Sequence, residues 1–413
     1  MSATAEHSRT AAAPPGGGAL PLPMTSMEQH AALPKLSHDD RVRFQVAAGV
    51  NGFLSQTLLP LLQRAAAERV EPRIEAELKR PAKDRHEYRA FLEQDLTWRL
   101  WSRMRRANME SVQQAARLAV LPQLPDLVQT SRELIERAGN LQLASGLKAP
   151  GYLKRLHSHL MPGGYITELG DDDVAAGAAY ELGVYAVLGG KSGPASDRAG
   201  RATVAWLAEH RPGWKPKRIL DLGCGIGANT TAIARAFPEA EIVAVDAGAP
   251  MLRQGAARAA ALGVDNIRFV QGNAERPPLG DDEQFDLITS LMVLHETSRP
   301  GTRKIFQACA RHLAPGGLTF HLEQPPYRDK PLLEQCLRDW DGRYNNEAFW
   351  SAMHDSDLAA QLRASGFDDA EVYETEANAA QIGATKKTQE DYGRGGAWYV
   401  VVGEKPRLQE VRQ

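Results

Sequence analysis

Two periodicities divide the chain. From Phe44 to Leu143, apolar residues recur at steps of three and four, the spacing that lines one face of a helix. Phe44, Val46, Ala47 and Val50 open the series behind Ser37-His38-Asp39-Asp40, a helix-start signature. Leu58, Leu59, Leu61, Leu62 and Ala65 continue it. Tyr88, Phe91, Leu92, Leu96, Trp98, Leu100, Trp101 and Met104 follow, then 112–121 and 128–143, with Pro72 and Pro81 as punctuation. No alternating strand run occurs before residue 150. From about 217 the pattern changes. Short apolar runs at 217–222, 241–246, 267–271, 285–290, 318–323, 370–375 and 397–403 read as strands. Helical patterns at 199–210, 231–237, 249–262, 299–313, 331–343 and 355–365 separate most of them. Strands alternating with helices predict a mostly parallel sheet with right-handed crossovers. The last two strands are joined without a helix, through the long polar stretch 378–396, where mobility is expected.

The domain reading follows. Residues 1–36, rich in Ala, Pro and Gly, bury too little surface to offset their ordering entropy and are expected to be a disordered tail. Residues 37–145 form a helical domain, 146–200 a connecting or lid segment, 201–405 the α/β domain, and 406–413 a C-terminal tail.

The chemistry gathers where the first strand of the α/β domain ends. Asp221-Leu222-Gly223-Cys224-Gly225-Ile226-Gly227 leads straight into a helix. Glycine lets a ligand approach the backbone, and a new helix presents unpaired N–H groups. The second strand ends in Asp246, a carboxylate at the edge where ligands of open α/β sheets lie.

The spacing is Asp-x-Gly-x-Gly-x-Gly, not the G-x-G-x-x-G of dinucleotide folds. It resembles motif I of the class I S-adenosylmethionine (SAM) methyltransferases. The resemblance continues through Asp246, Gly272-Asn273-Ala274-Glu275, Phe285-Asp286-Leu287-Ile288 and Leu313-Ala314-Pro315-Gly316-Gly317, and covers roughly residues 200–405. It implies an α/β fold: a seven-stranded Rossmann-like methyltransferase sheet, its last strand antiparallel, flanked by helices and here preceded by an all-helical N-terminal domain. It implies SAM as cofactor. Asp221 would accept from the methionine amino group. Gly223, Gly225 and Gly227 would let the loop lie against the cofactor, and Asp246 would hold the ribose hydroxyls. Met251 would pack against adenine or in the core. Asn273 stands where the family usually has an acid and would accept from adenine through its amide oxygen; Ala274 would offer its N–H. His295, after the fourth strand, is the first candidate for a catalytic base, and Glu323, ending the fifth, the second. Tyr165 and Tyr180, with His159, are lid candidates over the substrate. Tyr327, Trp340, Tyr344 and Trp350 either line the acceptor pocket or pack against the helical domain.

Composition narrows the function. The chain has 413 residues and a formal net charge of -2. No basic excess argues for nucleic acid, and Arg99, Arg103, Arg105 and Arg106 beside Trp98 and Trp101 read as the solvated side of an amphipathic helix. Three cysteines at wide spacing suggest neither disulfides nor zinc. His157 and His159 form a pair without evident further ligands, so no metal is expected. No apolar run reaches membrane length and no secretory signal opens the chain; a cytoplasmic enzyme is expected. The leading expectation is methyl transfer to a small-molecule acceptor, with homodimerisation through the helical domain as the partner expectation. Two other readings stand beside it: a methyltransferase acting on protein or RNA, and a non-catalytic SAM- or nucleotide-binding module whose helical domain recruits a partner.

Overall fold

Eight strands form one sheet in the computed structural model, which describes residues 23–328, 330–367, 371–378 and 398–406. They are β1 (Leu141–Gln142), β2 (Arg218–Leu222), β3 (Glu241–Asp246), β4 (Ile267–Gln271), β5 (Phe285–Leu291), β6 (Leu313–Glu323), β7 (Val372–Ala377) and β8 (Trp398–Glu404). The order is β1-β4-β3-β2-β5-β6-β8-β7. Strands β1 to β6 pair in parallel, and β8 runs antiparallel between β6 and β7. The count exceeds the expected seven by β1, two residues that pair Leu141 with Phe269 and Gln142 with Val270. Two residues are too few to show an alternating pattern, which is why the region before residue 150 read as helix alone. The β7–β8 connection, expected to be mobile, lies outside the described residues, as do residues 407–413 of the C-terminal tail.

Alternation along the strands feeds two cores. Ile219, Ile242, Ala244, Phe269 and Phe320 face the helices Arg198–His210, Ala228–Ala236 and Ala249–Ala261. Leu220, Leu222, Val243, Val245 and Ile288 face Arg299–His312 and Leu358–Arg363. This is the two-sided burial that parallel sheets need. It brings the carboxyl ends of β2, β3, β5 and β6 to one edge.

The N-terminal helices wrap that edge. A continuous helical run from His38 to Leu78 contains two π-helical stretches, Leu54–Leu58 and Ala66–Val70. Each precedes a segment with proline at its second residue, Pro60 and Pro72. The wider turn absorbs the missing N–H of proline, so Pro72 does not end the helix as its punctuating role would suggest. The long helix Leu96–Val120 buries Trp98 and Trp101, while Arg99 and Arg103 stay exposed. Arg105 departs from the expected solvated face: it is buried, 3.0 Å from Asp341, with its guanidinium over the Trp340 ring.

Residues 23–36 are not a disordered tail. Met24, Met27, Ala32 and Leu33 are buried, Glu28 pairs with Arg235 and Arg258, and Gln254 donates to the Ala32 carbonyl at 3.1 Å. Residues 1–22 lie outside the described residues.

Candidate active site

The glycine loop is laid against β3 by backbone bonds. The N–H groups of Gly223 and Cys224 both reach the Val245 carbonyl, at 2.7 and 3.1 Å. Gly225 donates to Asp246 Oδ2 at 2.9 Å, and Gly248 to Oδ1 at 2.8 Å. The Asp246 carboxylate thus holds two loops while each oxygen keeps acceptor capacity. Burial lifts its pKa against the pull of these N–H groups.

A cavity of about 320 Å³ runs from this loop to the connecting segment and the stretch after β6. On its loop side lie Gly223, Gly225, Asn229, Asp246, Met251, Asn273 and Ala274. On its far side lie His159, Tyr165, Tyr180, His295, Glu296, Asn345, Glu347 and Trp350.

Several expected cofactor residues sit differently from the reading above. Asp221 is off the cavity wall. Its oxygens take the hydroxyls of Thr230 at 2.5 Å and Thr289 at 2.8 Å, and burial outweighs them to push its pKa up to about 6. It ties β2 to β5 and to the helix Ala228–Ala236. Gly227 is also off the wall. A Cβ there would lie 2.8 Å from the Phe269 ring, so this glycine serves helix–sheet packing. The Asn273 amide oxygen accepts from the Glu275 N–H at 2.9 Å and keeps a second lone pair for a ligand.

The expected acceptor residues divide. Tyr165, Tyr180 and Trp350 line the cavity. Tyr327, Trp340 and Tyr344 do not. Tyr327 is buried between Arg85 and His354 and donates to Asp339. Trp340 donates to Ser102 at 2.8 Å inside the helical unit, and Tyr344 donates to Glu93. Aromatic mass drew these three into the cleft between helical unit and sheet, the packing alternative of the sequence reading.

His295 and Glu323 form a buried dyad. Glu323 Oε2 lies 2.7 Å from His295 Nδ1, while Oε1 accepts from the N–H groups of Val293 and Leu294 at 2.8 and 2.5 Å. Glu323 is fully buried behind the ring and does not face the cavity; His295 does, which leaves Nε2 as the ring nitrogen for a ligand. Burial opposes a charge on this imidazole, but Glu323 outweighs it and lifts the pKa to about 9. Trp350 packs edge-on to the ring at 4.9 Å.

Beside the dyad is a cluster only partly anticipated. His159 Nδ1 lies 2.6 Å from Glu347 Oε1, and Nε2 lies 3.3 Å from Glu296 Oε1. Tyr165 and Ser158 donate to Glu296 at 2.8 and 2.9 Å. Burial disfavours charge on His159, yet the two glutamates hold its pKa well above the usual value. Burial and the nearby Glu296 charge raise Glu347. Glu296, Asn345 and Glu347 escaped sequence reasoning, although Glu296 adjoins His295 and the other two stand among the aromatics and amides of 340–350.

The residues fit an adenosyl ligand. At Gly225, whose φ is +55°, a Cβ would meet only the Met251 methyl, at 3.7 Å, so the backbone there is open to the cavity. The helix Ala228–Ala236 starts without a side-chain cap, and Ala228 and Asn229 of its first turn line the same cavity. Asp246 supplies two acceptor oxygens.

Comparison with known proteins agrees. A family model described as "Methyltransferase domain" matches residues 219–317. The chain is 34% identical over 115 residues to a ubiquinone biosynthesis O-methyltransferase of Erwinia tasmaniensis, covering 28% of this chain and 45% of that one. It is 35% identical over 154 residues to a malonyl-[acyl-carrier protein] O-methyltransferase of Methylococcus capsulatus, covering 37% and 52%. It is 28% identical over 187 residues to a demethylmenaquinone methyltransferase of Geobacillus stearothermophilus, covering 38% and 74%. The chain spans about half the length of the first two of these relatives. Sheet order, glycine loop and family match together define a class I SAM-dependent methyltransferase domain.

Proposed function

We propose that this protein transfers a methyl group from SAM to a hydroxyl or amine of a small molecule held at the far side of the cavity. The observation that carries this reading is one continuous cavity with the glycine loop and Asp246 at one end and the His295–Glu323 dyad at the other. Two of the relatives are named for ubiquinone biosynthesis and for demethylmenaquinone, which supports a small acceptor.

When bound, SAM supplies an electrophilic methyl on a sulfonium. Asp246, the Gly223–Gly225 backbone, Met251 and Ala274 would hold it. The protein's remaining task is to align the acceptor and exclude water. Trp350, Tyr165 and Tyr180 give the acceptor aromatic walls. His295 presents Nε2, with Glu323 holding Nδ1 and stabilising positive charge on the ring. With its proton held on by Glu323, the His295 imidazolium would pair with an acceptor atom that has already lost its own proton to solvent. Glu323 acts through His295 as a positioning residue. Among the described residues no helix is long and apolar enough to cross a membrane.

The test is isothermal titration with SAM and S-adenosylhomocysteine. The expected outcome is saturable binding that Asp246→Ala weakens by at least about tenfold, since it removes two acceptor oxygens and two loop anchors. Binding unchanged in the variant, with its fold confirmed by circular dichroism, would refute the assignment.

A further inference from the structure

We propose that His159, Glu296, Glu347 and the amide oxygen of Asn345 form a site for one divalent cation of the Mn²⁺, Fe²⁺ or Zn²⁺ class, on the acceptor side of the cavity. Three separate segments converge there: the connecting segment brings His159, the turn after β5 brings Glu296, and the stretch after β6 brings Asn345 and Glu347. One ligand atom from each of His159, Glu296 and Glu347 lies within 4.8 Å of the others. An ion with bonds of about 2.1 Å spans about 3.4 Å between tetrahedral ligands and about 4.2 Å between opposite ones, so movements of about 1 Å close the set. The imidazole now has one nitrogen on each carboxylate, and the ion would replace one of those two contacts.

An independent observation comes from unmet hydrogen-bond capacity. Asn345 and Glu347 are each 1% exposed. Asn345 Oδ1 and Glu347 Oε2 are buried acceptors with no donor among the described residues. Asn345 Nδ2 is held by Asp341 Oδ1 at 3.0 Å and lies 3.4 Å from His159 Nδ1, which fixes the amide beside the cluster. A buried acceptor without a donor is costly, and a cation in the proposed site would satisfy both oxygens.

The surroundings are those of a ligand set. Tyr165 and Ser158 orient Glu296, and the His159 N–H donates to Glu347 Oε1 at 3.2 Å; such outer contacts hold ligands in place. One nitrogen with carboxylate and amide oxygens suits Mn²⁺, Fe²⁺ or Zn²⁺, whereas Ca²⁺ prefers six to eight oxygens. The third and fourth ligands that His157 and His159 lacked in the sequence come from residues more than a hundred positions away. A cation here would leave positions for an oxygen of the acceptor beside His295. The inference does not depend on methyl transfer: the site would bind its ion even if the glycine loop bound no SAM.

The experiment uses the full chain, stripped with a chelator and dialysed, titrated with Mn²⁺ and read by the paramagnetic resonance signal of the free ion. The expected result is saturable binding of one Mn²⁺ per chain, competed by Zn²⁺ and weakened about tenfold or more by Glu347→Gln and by Asn345→Ala. Glu283→Gln, at the distant pair with Arg218, is expected to bind as the unmodified protein does. Circular dichroism confirms folding, and either of the two site variants suffices if the other does not fold. Absence of saturable binding to the folded unmodified protein would overturn the proposal. Binding undiminished in a folded site variant would overturn it equally.

Discussion

His321 lies in β6 with no exposed surface, its Nδ1 2.7 Å from Ser290 Oγ and its Nε2 2.8 Å from Thr319 Oγ1. Burial lowers its pKa from 6.5 to about 3. The folded protein therefore keeps this imidazole neutral where the unfolded chain would protonate it. Stability from this residue is complete above the unfolded value and falls as pH drops from about 6.5 toward 3. Between pH 7 and pH 5 the loss is about 2 kcal/mol. Urea unfolding at the two pH values is expected to show a decline smaller by about that amount in His321→Gln than in the unmodified protein. His295 illustrates the opposite sign. Its neighbour Glu323 holds the proton on, so the neutral base read from an ordinary histidine is a charged ring at rest.

At the scale of elements, Trp340 joins the two halves of the molecule. Its ring lies 6.1 Å from Trp101, under Arg105 and bonded to Ser102. Trp340→Ala should cost about 3–5 kcal/mol, because it opens a large cavity and strands a buried hydroxyl. Chemical denaturation followed by circular dichroism measures it, and a loss under about 1 kcal/mol would mean the helical unit docks by other contacts. The sequence made the helices legible because their apolar stripes are long and regular. It could not assign Tyr327, Trp340 and Tyr344, because an aromatic that lines a pocket and one that fills a core look alike until the partner surface is known. The π-helical turns before Pro60 and Pro72 were equally hidden: proline announces a defect but not whether the chain breaks or widens around it.

For the whole molecule, the segment from residue 23 to 36 is part of the fold. It buries Met24, Met27 and Leu33 and gives Glu28 to the deeply buried Arg258. Removing residues 1–36 should lower stability by at least about 3 kcal/mol in denaturant unfolding, since several apolar side chains lose their burial; an unchanged midpoint would contradict that packing. The glycine loop and Asp246 were legible because a strand, a turn and a helix encode them within thirty residues. The cluster of His159, Glu296, Asn345 and Glu347 was not, since only the folded chain brings its members together. Two residues of β1 were too brief to leave a pattern at all.

Glu323 receives three donors, from Val293, Leu294 and His295, and it ends a strand whose register with β5 is fixed from Leu287–Leu318 to Leu291–Leu322. The aim of the His295 ring is therefore set by strand pairing. The entropy of orienting that side chain is lost once, when the sheet forms, and not again with each turnover. A chain that slipped by one residue between β5 and β6 would keep every residue of the dyad and still misdirect it, so fidelity of folding and competence of the site are one property of this protein.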